Sequence, residues 1–121
     1  MNAKRSMPNR KEKLYYDILR AGDEIQAFTQ NLSLEEYTLD LKSKAAVERK
    51  FEIIGEALRR LRDEWPEDFE KIPMGHEIIG MRNRLIHGYD DVDDQIIWET
   101  IEIHLPKLLK ILPPPIPLRD E

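Results

Sequence analysis

The chain has 121 residues, no cysteine, five glycines and a formal net charge of −5. That length fits one domain with a real core and excludes two independent ones, and without cysteine no disulfide framework exists. No run approaches the roughly 18 apolar residues of a membrane span, and the polar, basic opening MNAKRSMPNRKEK has no apolar leader core behind it, so a soluble, cytoplasmic protein is expected.

Residues 1–9 read as a flexible tail. Leu14, Ile18, Ala21, Ile25, Phe28 and Leu32 then recur at alternating steps of four and three, the stripe of a long amphipathic helix. Ser33-Leu34-Glu35-Glu36 is a capping-box pattern opening a short helix or turn. Val47, Phe51, Ile54, Leu58, Leu61 and Trp65 repeat the four-three spacing, and Trp65-Pro66 closes this second long helix. Pro73 to Glu77 introduces a third, shorter helix that Gly88 ends. Trp98, Ile101, Leu105, Leu108 and Leu112 mark a fourth, which Pro106 is expected to kink. The segment PPPIPLRDE, residues 113–121, is a proline-rich tail suited to polyproline II. No run alternates as a strand does. The pattern predicts an all-α, antiparallel four-helix bundle over residues 10–112. Tyr15, Leu19, Ile53 and Ile97, off the main stripes, are candidates for a second apolar surface that a homodimer would cover.

Charge is unevenly spread along these elements. Lys42 to Arg62 holds seven basic residues against three acids, while Asp90 to Glu102 holds six acids and no lysine or arginine. One surface can attract a polyanion while another suits a basic partner; solvated helix faces give the same pattern.

The stretch RNRLIHGY, residues 82–89, sets the chemical question. On a helical wheel Arg82 falls within the apolar stripe formed by Ile78, Ile79, Met81, Leu85 and Ile86, and a guanidinium there needs a partner. Asn83 and His87 are one turn apart on a shared face, with Gly80 beside them removing bulk. Arginine can hold a phosphate through two hydrogen bonds, and histidine can move a proton at a ribose 2′-hydroxyl or a 5′-oxygen. Those are the parts of a metal-independent RNA cleavage that leaves a 2′,3′-cyclic phosphate. Structural roles stand beside them: Arg82 pairing with Glu56 on the second helix, His87-Gly88 as a helix terminus, and Tyr89 as core. No cofactor is indicated and no metal cage appears, since His76, His87 and His104 are far apart in sequence and lack a HExxH pattern.

AVERKFEIIGEALRRL (46–61), GMRNRLIHGYDDVD (80–93) and IIWETI (96–101), taken in order, resemble the HepT-like toxins of the HEPN superfamily of helical ribonuclease domains. The resemblance covers roughly residues 10 to 112 and centres on R-x4-H-x-Y. It implies a helical homodimer whose motif helices face a shared cleft, acting as an endoribonuclease toxin on an RNA substrate. Arg82 and His87 would be its catalytic pair and Asn83 their support. It further implies an MntA-like nucleotidyltransferase antitoxin as partner, adding AMP to Tyr89 and so placing charge beside the phosphate site. Where such proteins often carry tryptophan after the proline preceding the motif helix, this chain has Pro73-Met74-Gly75. A non-catalytic helical dimer that binds a nucleotidyltransferase, a nucleotide or both is the alternative reading.

Overall fold

The computed structural model describes residues 10–88 and 92–113, so residues 1–9, Tyr89 and residues 114–121 of the proline-rich tail lie outside the described residues. Every regular element among the described residues is helical. The long helices are α1 (Arg10–Thr29), α3 (Leu41–Glu64) and α5 (Gly75–Ile86), with short α2 (Leu34–Leu39) and α4 (Pro66–Phe69) between them. A last composite helix runs through α6 (Asp94–Glu99), a π segment (Thr100–His104) and α7 (Leu105–Ile111).

Local chemistry fixes the ends. Ser33 Oγ accepts from the Glu36 N–H at 3.1 Å and the Glu36 carboxylate accepts from the Ser33 N–H at 2.9 Å, the expected capping box. Asp40 both ends α2 and caps α3, accepting from the Ser43 N–H at 3.2 Å. Pro66 occupies the first turn of α4, where its missing N–H costs nothing. Gly88, at φ +69°, takes the left-handed conformation that ends α5.

The hub is α3, against which α1, α2, α4 and α5 all pack. It buries Val47, Phe51, Ile54, Leu58 and Leu61, five of the six stripe positions read from sequence, with Trp65 half-buried at the end. From α1 come Leu14, Ile18, Ala21 and Ile25, while Phe28 at 40% exposure lies outside the core. The space between α1 and α7 is closed where Gly22 meets Leu109: a Cβ on the glycine would stand 2.7 Å from a leucine methyl.

One expectation needs correction. Ile97 is no surface residue: it is fully buried, because the last helix turns Ile97, Ile101, Leu105, Leu108 and Leu112 inward. Trp98 is instead partly buried, its ring 5.3 Å from that of Tyr37. Tyr15, Leu19 and Ile53 are partly buried and pack against the core. Pro106 lies in the first turn of α7, directly after the π segment, in which the Leu105 N–H reaches back to the Thr100 carbonyl. Phe69 is a core residue that the stripes do not contain; its ring is buried beneath Gly75 and meets His76 edge-on at 4.8 Å.

Candidate functional site

The site grows from the crossing of α3 and α5. Gly55 has no side chain, and a Cβ built there would lie 2.3 Å from Arg82 Cβ and 2.7 Å from its Cγ. The aliphatic stem of Arg82 therefore rests on the bare backbone of α3, and the two helices approach closely because Gly55 permits it. Arg82 is central to the stripe because its stem packs there as an apolar side chain does.

Laid over Gly55, the guanidinium reaches the next residue of α3. Arg82 Nη2 donates to Glu56 Oε1 at 2.7 Å and Nη1 to Asn83 Oδ1 at 2.7 Å. Only 20% of the Arg82 side chain is exposed, and its Nε is buried with no hydrogen-bond partner among the described residues. Glu56 collects three arginines. Arg59 donates to both carboxylate oxygens, at 3.2 and 2.8 Å, and Arg60 Nε donates to Oε2 at 3.1 Å. Hydrogen bonds from Arg59, then from Arg60, together with the nearby positive charge of Arg59 and Arg82, hold the Glu56 carboxyl below its ordinary range against the opposing effect of partial burial. Arg59 and Arg60 were absent from the site read from sequence. Their spacing of three and four residues from Glu56 on one helix was the available signal.

His87 is the C-cap of α5, its N–H donating to the Asn83 carbonyl at 3.1 Å, and its side chain is exposed. Asn83 is exposed as well, and nothing lies within 4 Å of a Cβ built on Gly80, so the face carrying these residues is open. The structure thus joins Arg82, Asn83 and Glu56 by hydrogen bonds and sets His87 one turn further along the same helix. Tyr89 follows beyond the described residues. His76 belongs elsewhere, on Phe69 and 3.5 Å from Glu70, and no cluster of three potential metal ligands forms among the described residues.

Comparison with known proteins agrees with this helical frame. The profile of the ribonuclease HepT-like family matches residues 18–114. A Methanocaldococcus jannaschii protein bearing the provisional name of an RNase is 40% identical over 105 residues, which is 86% of this chain and 86% of that protein. A Thermococcus cleftensis protein provisionally named ribonuclease HepT is 36% identical over 92 residues, covering 76% and 83% of the two chains. One from Caldanaerobacter subterraneus subsp. tengcongensis, also provisionally named as an RNase, is 43% identical over 81 residues, covering 67% and 71%. No solved structure matches the chain at a significant level. The class is that of helical ribonuclease domains of the HEPN superfamily. The chain belongs to the ribonuclease HepT-like family. Among the described residues no helix is long and apolar enough to cross a membrane.

Proposed function

We propose that this protein is a metal-independent endoribonuclease toxin in which Arg82 binds the scissile phosphate and His87 moves the proton. The observation that carries this reading is an arginine seated at the α3–α5 crossing, with an exposed histidine five residues further along the helix, in a chain of a ribonuclease family. In the proposed step the ribose 2′-oxygen attacks phosphorus as its proton leaves to a base. The bond from phosphorus to the 5′-oxygen breaks, and that oxygen takes up a proton, leaving a 2′,3′-cyclic phosphate. Arg82 offsets the charge that builds on the phosphate oxygens, and Asn83 holds the guanidinium at 2.7 Å. DNA lacks the attacking hydroxyl and is not a substrate.

Two copies facing each other through α5 would bring two such sets to one cleft, the homodimer that the family resemblance implies. Control by an MntA-like nucleotidyltransferase antitoxin that adds AMP to Tyr89 completes the reading. Its chemical basis is the position of Tyr89, two residues past His87, where added phosphate would compete for the same cations.

The Arg82–Glu56 pair also favours a second reading, a non-catalytic module in which the arginine only ties two helices. Cleavage of RNA in chelator by purified wild type, Arg82→Ala and His87→Ala decides between them. The ribonuclease reading expects losses of about 100-fold or more for each variant, with circular dichroism and sedimentation unchanged. Wild-type cleavage by a clean His87→Ala protein overturns it. Intact mass after co-expression with the nucleotidyltransferase tests the modification: the AMP increment should appear and should map to Tyr89.

A further inference from the structure

Between α1, α3 and α5, beside Arg82, lies an open pocket of about 360 Å³. Leu14, Ile53, Ala57 and Ile86 supply its apolar lining, and Ile86 is left 48% exposed there. Its polar rim is made of ion pairs whose remaining donors and acceptors face the pocket: Arg49 with Glu52 at 3.2 Å, Arg60 with Glu56 at 3.1 Å, and Asp17 with Lys13 at 2.8 Å, while Arg82 is shared with the motif. We propose that this pocket receives one unpaired nucleobase of the RNA, the one flanking the scissile phosphate. The inference rests on the RNA-cleaving reading and names the part of the substrate that the site holds besides the phosphate.

Size, chemistry and position all favour this occupant. Ligand pockets run from roughly 300 to 1,000 Å³, so this one, at about 360 Å³, suits a single ring system. A base offers an apolar face for the leucine and isoleucine side chains, and guanidinium planes stack on the same surface. Its edge presents donors and acceptors together, which the mixed Arg49, Arg60, Asp17 and Glu52 set can answer and a purely basic groove cannot. Because Arg82 belongs to both places, a base seated here is adjacent to the phosphate on that guanidinium. A second copy of the chain is the competing occupant. Six of the ten lining residues are charged, whereas the cores of self-association interfaces are depleted of charge, so the nucleotide is favoured.

The test starts with the full-length wild-type protein and a short single-stranded RNA whose cut site has been mapped. Oligonucleotides of that sequence, methylated at the scissile 2′-oxygen to prevent cleavage, carry one abasic residue at each position in turn, and their affinities are measured. The expected result is a loss of about tenfold or more at one position next to the scissile phosphate and small losses elsewhere. Ile53→Trp, which fills the pocket, should erase that position dependence while sedimenting as wild type does. A flat abasic profile for an RNA that wild type cuts overturns the base site and leaves the ribonuclease reading standing. A shift in oligomeric state for Ile53→Trp, with a flat profile, assigns the pocket to a second copy. If wild type neither binds nor cuts RNA, both inferences fall.

Discussion

Two corners of this bundle handle polar groups in opposite ways. At the α3–α5 crossing, charges gather at the edge of the core: Glu56, with 31% of its side chain exposed, binds three arginines and keeps its charge. Where α2 meets α6, Tyr37 is wholly buried and its hydroxyl has no partner among the described residues. Burial, with the acids Glu48 and Asp94 nearby, pushes that phenol's pKa up, so it stays neutral. A neutral hydroxyl can be left unpaired for roughly 1–3 kcal/mol, while an unpaired buried guanidinium would cost far more. The first corner therefore concentrates groups that can act on an anion. The second serves shape alone.

The comparison is broken most forcefully at Tyr37. Tyr37→Ala should lose about 3–5 kcal/mol of stability in urea unfolding, yet leave RNA cleavage per folded molecule unchanged. Gly55→Ala comes next. Its Cβ would collide with Arg82 Cβ at 2.3 Å, so a loss of about 1–3 kcal/mol should come with a fall in cleavage per folded molecule. Destabilisation with an untouched rate would show that the crossing does not position Arg82.

Glu56→Gln sharpens the contrast at lower cost, about 1 kcal/mol near neutral pH. The folded-state pKa of Glu56 lies below its ordinary value of 4.5, so its stabilising effect is complete above that value and fades as pH falls through the folded pKa. The variant should lack that part of the acid-side decline, read as a flatter stability curve below about pH 4.5. Smallest of all, Tyr37→Phe should fall within about 1 kcal/mol of wild type, on the stable side. A larger loss would mean that the hydroxyl has a partner after all.

Much of this architecture was legible because helices declare themselves by period. The stripes of α1 and α3, the Ser33 capping box and the glycine that ends α5 follow from spacing and backbone preference. Glu56 as a partner for Arg82 was also legible, since an arginine within an apolar stripe demands an acid. What escaped depends on how helices cross. Tyr37 and Phe69 sit in helices of six and four residues, too short to show a period, and their burial is decided by what packs over them. The closeness of Gly55 to Arg82, and the pocket beside it, exist only once α1, α3 and α5 are set at their angles. Ile97 was misplaced because Trp98 also fits a four-three spacing. The partner of Trp98 is Tyr37, on another element.

The π segment at Thr100–His104 has a consequence for the evolution of chain length. Such a turn holds one residue more than an α-helical turn needs, and the helix on either side keeps its facing. Removing one residue from this stretch would return it to ordinary winding with Leu105, Leu108 and Leu112 still turned inward. The same deletion in the middle of α3 would rotate every later side chain by about 100° and carry Leu58 and Leu61 out of the core. The last helix is thus a place where the loss of one codon can pass without unfolding the protein.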